Sequence, residues 1–492
     1  MTLLRNAASA ITLFATALAF AQVPEHKVDF LKRPENWSIY GEDLCTDQYQ
    51  IDLERITTGK QKGMISIYVA DRATGAQVGK TTFSSNWEED HHMEKLMQVN
   101  GKVYAIYDVV NMKTAQVDVY AQEIAVPQPE FVGDRKPIAS VKFEPRGFYF
   151  PGKLFLRFHT SANGQYTAFF FDAIRSKEDE QLVLVTMLDK DLEKLWEQAY
   201  RIEFDSEKVS TVSVVVSDQG VVYSLMNARF KNRSITNKSV NFDYQVFGMT
   251  QTGMANQLID VGAGLSAVAC DLALRKGTIP VVGGFHVEEG TSTEITRGYF
   301  IGELDPALAQ PTEVHATTFQ SEVQERMRST DLFVRSDGGA FLTGLSRNSA
   351  STSMSESYLF AGSFDKNGEQ EWATIVPRTL VASKSDEDYG YRAFFAKDKL
   401  MVLLPDREEN LANYRNRSEL EKVRKGPYIP LIIGFSSTGE ASYAKLGAPA
   451  DYSFFVNSLQ DNTYTQNGTF AFSCSKKTAK KELNGTLFID FE

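Results

Sequence analysis

The 492-residue sequence is poor in cysteine and in proline, with three of the first and 15 of the second. Three cysteines form too few disulfide bonds to stabilise an exported chain of this length, so hydrophobic burial has to supply most of its stability. At most one disulfide can form. Cys45 and Cys474 lie near opposite chain ends, which a closed fold would bring together, and we expect either this pair or buried free thiols.

An excess of positive charge is also missing, because 63 acidic residues outnumber 52 Lys and Arg, and the net charge of −11 is spread along the chain. A protein that binds nucleic acid carries a basic patch or stripe, and attraction to an anionic membrane surface also depends on basic residues. We therefore expect neither nucleic acid nor an anionic membrane surface as a partner.

Long apolar runs are missing after the first 21 residues. Those residues contain Arg5, an apolar stretch over 7–20 and a small-x-small end at Ala19-Phe20-Ala21, which together are typical of a signal peptide cleaved after Ala21. The alternative, a retained anchor, is disfavoured because the apolar stretch is short for a bilayer. The sequence predicts a signal peptide over 1–21 and an exported mature chain over 22–492, located in the periplasm, on the cell surface or in the medium.

The sequence also lacks several common motifs of catalytic, phosphate-binding and metal-binding sites. There is no Gly-x-Ser-x-Gly nucleophile elbow, no glycine-rich phosphate loop and no Cys-x-x-Cys pair. The six histidines show neither the His-x-His nor the His-x-x-x-His spacing that suits a metal ion. We therefore expect no cofactor, no metal site and no recognisable catalytic residue.

What the sequence does contain is a repeat with strand-forming composition, including 33 Phe and 20 Tyr. An apolar strand, a turn that starts with Asp or another small polar residue, and a second strand recur, with turns at Asp71, Asp189, Thr250, Asp305, Asp365, Ser436 and, more weakly, near Ala121. Six steps separate Asp71 from Ser436, which are 365 residues apart. The average of about 61 residues indicates repeated structural units.

Each of these turns follows a second hairpin signal. Asn163-Gly164, Gln219-Gly220 and Asp337-Gly338 each lie between alternating apolar runs, as in tight hairpins that need positive φ. Two hairpins per unit make four antiparallel strands, and such units without intervening helices predict an all-β fold, a single β-propeller. A β-helix or a pair of β-sandwiches is the alternative, but sandwiches lack a regular internal period.

The number of blades depends on the chain ends. Six units run from about Lys95 to Gly447, and the segments 37–83 and 452–492 supply either one closing blade or two. We expect seven four-stranded blades, with eight as the alternative. The strand 485–492, GTLFIDFE, is expected to share a blade with N-terminal strands and so to close the ring.

The turn Ala70-Asp71-Arg72-Ala73-Thr74-Gly75 resembles the outer hairpin of quinoprotein-type propellers, in which Ala-x-Asp-x-x-Thr-Gly precedes Trp. The stretches SFDKNGEQEW, with Trp372, and LDKDLEKLWE, with Trp196, are similar to it and to blades of exported bacterial propellers in general. This resemblance implies the propeller fold. It does not imply a quinone cofactor, because Trp is present in only two of the seven turns.

Two connections between blades are the candidate ligand-binding loops. The segment NWEEDHHMEK contains Trp87, Glu88, His91 and His92, and TTFSSNWEEDHHMEKLMQ aligns without a gap with TTFQSEVQERMRSTDLFV, so that Thr81 matches Thr317. The alignment indicates a polar connection between blades. The second connection, rich in acid and tyrosine, contributes Asp386, Asp388, Tyr389 and Tyr391. Acidic and aromatic side chains together suit a cation, a sugar or a basic peptide.

The function predicted from these observations is a non-enzymatic, exported and monomeric binding scaffold for a protein, peptide or glycan. One alternative is a hydrolase, lyase or oxidoreductase whose site is assembled from several blades. The other is a structural component of the cell envelope.

Overall fold

A computed structural model describes residues 23, 26–32, 42–55, 65–83, 91–111, 113–114, 116–142, 156–175, 181–202, 208–229, 242–289, 295–310, 313–319, 327–346, 355–380, 391–397, 399–406, 429–446, 455–456, 463–464, 469–477 and 482–491. Throughout these ranges the regular secondary structure is β. The strands, in chain order, are β1 (His26–Lys32), β2 (Glu42–Cys45), β3 (Tyr49–Arg55), β4 (Ile65–Asp71), β5 (Gln77–Phe83), β6 (His91–Val99), β7 (Lys102–Asn111), β8 (Gln116–Ala125), β9 (Glu130–Lys142), β10 (Leu156–Thr160), β11 (Tyr166–Arg175), β12 (Gln181–Asp189), β13 (Lys194–Ile202), β14 (Lys208–Val216), β15 (Val222–Arg229), β16 (Phe242–Thr250), β17 (Gly253–Leu258), β18 (Leu265–Arg275), β19 (Ile279–Glu288), β20 (Gly298–Glu303), β21 (Glu313–Thr318), β22 (Met327–Val334), β23 (Ala340–Ser346), β24 (Ser355–Phe364), β25 (Gln370–Leu380), β26 (Arg392–Ala396), β27 (Lys399–Asp406), β28 (Ile429–Phe435), β29 (Ala441–Lys445), β30 (Phe455–Val456), β31 (Thr463–Tyr464), β32 (Thr469–Lys477) and β33 (Glu482–Phe491).

The strands form two compact units. The unit over 40–322 contains five four-stranded antiparallel sheets, which take β2 to β21 in groups of four in chain order. The unit made of 1–39 and 323–492 contains two more such sheets, β22 to β25 and β26 to β29. The all-β fold class and the four-stranded blades of a β-propeller, both predicted from the sequence, are confirmed.

A further sheet in the second unit combines the two ends of the chain. β1 pairs antiparallel with β33, from His26 opposite Phe491 to Lys32 opposite Gly485, and β33 pairs with β32. The short strands β30 and β31 both pair with β32. The predicted pairing of the C-terminal strand with an N-terminal strand is therefore confirmed, and the described part of the chain contains this sheet in addition to the seven four-stranded ones.

The hairpin between the first and second strands forms where the glycine signals predict it. Gly164 and Gly220 follow β10 and β14 with φ of 69° and 76°, a region that glycine enters without steric cost. These turns also join neighbouring sheets, because the backbone N–H of Asn163 donates to Oδ1 of Asp218 at 2.9 Å and the N–H of Asp218 donates to the carbonyl of Gly277 at 2.7 Å.

The turn between the third and fourth strands is built in the same way in four sheets. The side chain of the first turn residue accepts hydrogen bonds from the backbone N–H groups two and four residues further on. This holds at Asp189, Asp305, Asp365 and Ser436. The side chain thus fixes the tight turn. The weaker prediction near Ala121 is wrong: Ala121 lies inside β8, and the turn falls at 126–129, where Pro127 and Pro129 lack the N–H groups that strand pairing needs.

Apolar side chains on both faces of the middle strands form the cores between sheets. On β11, Phe169 packs in the cluster shared with the β6–β9 sheet, whereas Phe170 packs in the cluster shared with the β14–β17 sheet, and each is 0% exposed. A strand buried on both faces explains the continuous apolar run TAFFF. In the second unit, equivalent clusters join β22–β25 to β26–β29, and β26–β29 to the sheet of the chain ends.

Candidate functional site

The structure describes part of each predicted ligand-binding connection. Trp87, Glu88, Asp386, Asp388 and Tyr389 lie outside the described residues. The predicted placement of His91 and His92 in a connection is wrong, because β6 already begins at His91. Their backbones pair with Val109 and Asp108 of β7, so ladder hydrogen bonds extend the strand four residues beyond the predicted apolar core KLMQV.

Tyr391 is described, and it lies directly before β26. Its side chain is 6% exposed and packs in the core between the β22–β25 and β26–β29 sheets. A buried tyrosine needs a partner for its hydroxyl group. That partner comes from the preceding sheet, since the hydroxyl lies 3.3 Å from Oγ1 of Thr343 on β23 and also hydrogen-bonds to the carboxyl group of Asp331 on β22.

Asp331 and Thr343 are cross-strand neighbours, and Thr343 Oγ1 donates to Asp331 Oδ2 at 3.4 Å. Asp331 is partly exposed, whereas Thr343 is fully buried. The three groups of Asp331, Thr343 and Tyr391 thus form a polar cluster at the margin of an apolar core. Arg392, the next residue of the chain, places its positive charge near the carboxyl group.

The cluster changes the acidity of its carboxyl group. Burial raises the pKa of Asp331 above its ordinary value of 3.8, although hydrogen bonds from Tyr391 and Thr343 and the charge of Arg392 act in the opposite direction. Desolvation therefore dominates over charge stabilisation. A carboxyl group in this state can donate a hydrogen bond when protonated and accept one when ionised.

The cluster lies beside the edges of two sheets. β22 and β26 are the edge strands of neighbouring sheets and contact each other. Along them lie two partly exposed aromatic residues, Phe333 and Phe395, both packed against the same core. The ring of Phe395 lies 5.6 Å from that of Phe341, which is the cross-strand neighbour of Phe333. We call Asp331, Phe333, Thr343, Tyr391 and Phe395 the β22–β26 strip.

Sequence reasoning found Tyr391 and missed Asp331, Thr343 and Arg392. One signal was available: in the ungapped alignment of the two connections, Asp331 falls on Lys95, so both inner strands carry a charged residue inside an apolar pattern. A charge at such a position calls for a buried or half-buried partner. The identity of that partner depends on a residue about 60 positions away, which the pattern alone does not show.

Among the side chains that the structure describes in the other unit, one histidine is buried: His286 on β19, which is 1% exposed. Its Nε2 lies 3.1 Å from the carbonyl oxygen of Thr317, which can only accept, so Nε2 carries the proton. Nδ1 has no hydrogen-bond partner among the described residues. Burial lowers the pKa of His286 below 6.5. The imidazole lies over Gly298, whose missing side chain leaves room for the ring.

The described residues contain no group of three or more His, Cys, Asp or Glu side chains placed to hold a metal ion. They also contain no helix with the length and apolar character needed to cross a membrane.

No protein-family model and no curated protein matches the sequence. Solved structures similar to this chain include the WD40 domain of SCAP from fission yeast, at 8% identity and a TM-score of 0.41, with 95% of this chain and 98% of that chain covered. The β-propeller domain of the Trilobed protease from Pyrococcus furiosus is similar at 9% identity and a TM-score of 0.35, with 88% and 98% covered. An alpha-L-arabinanase of Penicillium chrysogenum complexed with arabinobiose is similar at 12% identity and a TM-score of 0.32, with 66% and 94% covered. These likenesses concern the fold and carry no argument about function.

Proposed function

We propose that this protein is an exported, non-enzymatic binding module that engages a protein, peptide or glycan through the β22–β26 strip. The observation that carries the proposal is the hydrogen-bonded cluster of Asp331, Thr343 and Tyr391 beside partly exposed aromatic residues at the edges of two sheets. Binding sites combine apolar surface with a few polar groups that fix orientation, and the strip has both.

Partial exposure supports binding over a purely internal role. Within the strip, Thr343 and Tyr391 are enclosed, and their hydroxyl groups hold the Asp331 carboxyl group in place by hydrogen bonds. Asp331, Arg392 and the two phenylalanines instead keep solvent-facing surface at one edge. A partner covering them would gain apolar burial as well as hydrogen bonds.

Export and a monomeric state are part of the same proposal. Residues 1–21 have the composition of a signal peptide, and the net charge of −11 favours a partner other than nucleic acid. A binding module outside the cytoplasm is exposed to glycans, peptides and envelope proteins, which are its potential ligands.

An enzyme is the second candidate, and one observation favours it. A carboxyl group with a raised pKa is the usual form of a general acid, and Asp331 has that property. Hydrolysis of a glycosidic bond uses a second carboxylate. The described partners of Asp331 are two hydroxyl groups and an arginine, so the second carboxylate would have to come from elsewhere, and we favour binding.

The test measures binding to immobilised libraries of glycans and peptides. It compares three purified proteins: the mature wild type, Tyr391→Phe and the control Tyr244→Phe. Tyr244 is similarly buried and donates to the carbonyl of Val268 at 3.2 Å, but it lies in the other unit. We expect a ligand that is lost or weakened in Tyr391→Phe alone. Turnover of any bound compound, or equal binding by all three proteins, would contradict the proposal.

A further inference from the structure

A second pair of edge strands, in the unit over 40–322, holds a partly exposed arginine. β10 and β14 are the first strands of neighbouring sheets, and they contact each other. Arg157 lies on β10, and its Nη2 donates to the carbonyl oxygen of Thr211 on β14 at 3.2 Å. These strands belong to a different unit from the β22–β26 strip, so a ligand bound by them is independent of the binding role proposed for the strip.

The guanidinium group of Arg157 keeps most of its hydrogen-bonding capacity. A guanidinium group has five N–H donors and a permanent positive charge. Among the described residues, the neutral carbonyl of Thr211 is the one hydrogen-bond or ion-pair partner of Arg157. Arg275, in the same unit, is by contrast paired with the carboxylate of Glu303. A partly desolvated cation without an anion beside it is stabilised when an anion binds.

The charged end of Arg157 lies at the rim of an apolar core. Its cross-strand neighbour is Phe170, which packs in the core shared with the β14–β17 sheet. Cross-strand neighbours lie on the same face of a sheet, so Arg157 also faces β14. The aliphatic part of such a side chain can follow the apolar rim while the guanidinium group reaches solvent. The partial exposure of Arg157 agrees with this arrangement and leaves the charge accessible to a ligand.

β14 carries a bulge next to the arginine. Its register with β15 shifts between Thr211 and Ser213, so Val212 has no cross-strand partner. The Val212 side chain is 39% exposed. Because Val212 directly follows Thr211, an exposed apolar side chain lies next to the carbonyl group to which Arg157 donates. Bulges are frequent beside active sites, where they redirect a side chain.

Thr211 contributes a second unmatched polar group. Its Oγ1 atom is buried and has no hydrogen-bond partner among the described residues. Buried hydroxyl groups are normally hydrogen-bonded. The polar groups at this junction of β10 and β14 are therefore incompletely satisfied by the described part of the chain. Since the hydroxyl group is enclosed, Arg157 is the polar group that a ligand meets first.

The charge of the site selects the class of ligand. Among the side chains described on β10 and β14, Arg157 carries the one permanent positive charge. One guanidinium group balances one carboxylate, and its parallel N–H groups match the two carboxylate oxygens. A phosphate monoester carries nearly twice that charge and is matched less well. The exposed valine favours an apolar group attached to the carboxylate.

We propose that Arg157 and Val212 form a ligand site for a small organic acid. The guanidinium group binds the carboxylate of the acid, and Val212 contacts its apolar part. The site goes beyond the proposed function, because it lies on other strands and takes a ligand of its own class.

The experiment titrates the full mature protein with benzoate, acetate, benzamide and phosphate at low salt and measures binding by calorimetry. Benzamide has the shape of benzoate without its charge. The variants are Arg157→Gln, Arg157→Lys, Val212→Ser and the control Arg135→Gln. Arg135 belongs to the same unit and is exposed, and its guanidinium carbon lies 4.5 Å from the ring centroid of Tyr120.

Two further measurements accompany the titrations. NMR of protein labelled with ¹⁵N in arginine follows the Nε–H signal of Arg157, which is assigned by its loss in Arg157→Gln. Thermal unfolding shows whether each variant is folded. The NMR signal of the wild type reports on the site even if a variant does not fold.

We expect benzoate to bind weakly, with a dissociation constant of about 1 mM, because one partly exposed ion pair and a small apolar contact hold it. It should move the signal of Arg157. Benzamide, and benzoate with Arg157→Gln, should each bind about tenfold more weakly or less. Arg157→Lys should lose a smaller factor, since an ammonium group lacks the parallel donors. Val212→Ser should bring the affinity for benzoate close to that for acetate, and Arg135→Gln should change nothing.

Other results overturn the inference. Equal binding of benzoate and benzamide, or benzoate binding that Arg157→Gln leaves unchanged, would exclude the ion pair. Tighter binding of phosphate than of benzoate would show a site with several cations, and the carboxylate assignment would be wrong. Failure of every acid to move the Arg157 signal would also overturn it; if Arg157→Gln then lowers the unfolding temperature, a carboxylate of the chain itself holds the guanidinium group. None of these results affects the test of the β22–β26 strip, which depends on Tyr391.

Discussion

The indole ring of Trp372 stacks on the ring of Phe435, with 5.7 Å between ring centroids and 16° between ring planes. Trp372 belongs to β25 and Phe435 to β28, so the contact joins two neighbouring sheets. The next turn approaches so closely that a Cβ on Gly439 would lie 2.8 Å from the indole, and Thr374 Oγ1 donates to the carbonyl of Gly439 at 2.6 Å. The tryptophan of the repeated turn is therefore a packing residue between sheets.

Replacing this tryptophan should cost much of the stability of its unit. Trp372 is 7% exposed, and Trp372→Ala should lower the free energy of unfolding by about 3–5 kcal/mol through lost burial and a cavity. Trp196 occupies the matching turn of another sheet but is only partly buried, so Trp196→Ala should cost clearly less. Denaturant unfolding followed by fluorescence measures both, and equal losses would contradict the packing role given to Trp372.

The glycine opposite His286 should not tolerate a side chain. A Cβ at Gly298 would lie 1.9 Å from the carbonyl oxygen of Thr317 and 2.5 Å from Nε2 of His286. Gly298→Ala should therefore destabilise the protein by about 1–3 kcal/mol through overpacking. Gly253 has nothing within 4 Å of its added Cβ, so Gly253→Ala is the matched control. Thermal denaturation of both variants checks this, and a shift of equal size in the two would count against the close contact.

His286 should make the protein less stable in mild acid. Its pKa is lowered from 6.5 by burial, so the unfolded chain binds the proton more readily than the folded one. This contribution to stability is complete above pH 6.5 and is lost as the pH falls below it. His286→Gln can still donate to Thr317 and should show a smaller loss of stability between pH 7.5 and 5. The exposed His315 provides the control variant, His315→Asn, which should behave as wild type does.

Asp331 should have the opposite effect on the pH dependence of stability, since it favours the folded state in acid. Its pKa is raised from 3.8, chiefly by burial, so the folded state keeps the proton where the unfolded chain has lost it. The free energy of unfolding therefore falls as the pH rises from 3.8 through the pKa of the folded state, and it is constant above that. The effect is at most about 1.4 kcal/mol for each pH unit of this window. Asp331→Asn should remove it, and an unchanged pH profile in that variant would show that the carboxyl group is not strongly desolvated.

Local chemistry explains why so much of the fold could be predicted from the sequence. The side chains of Asp189, Asp305 and Asp365 bind their own turns, so each turn is encoded within five residues. The glycines after β10 and β14 likewise mark their hairpins by backbone conformation alone. The start of β6 at His91 could not be predicted in this way, because pairing with β7 extends the strand into a polar stretch.

The candidate site was harder to predict because its members are distant in sequence. Tyr391 was found through the composition of its own segment, but Asp331 and Thr343 become its partners only when two sheets pack together. A single aspartate in an apolar strand does not show which hydroxyl groups it will meet. Long-range packing therefore decides the site, whereas short-range turn chemistry decides the repeat.

The most direct test of the proposed binding role is a crystal structure of the mature protein with the tightest-binding compound from the library screen. The account predicts electron density for that compound within hydrogen-bond distance of Asp331 and in contact with the ring of Phe333. Density at another surface, with the β22–β26 strip covered only by solvent, would contradict it.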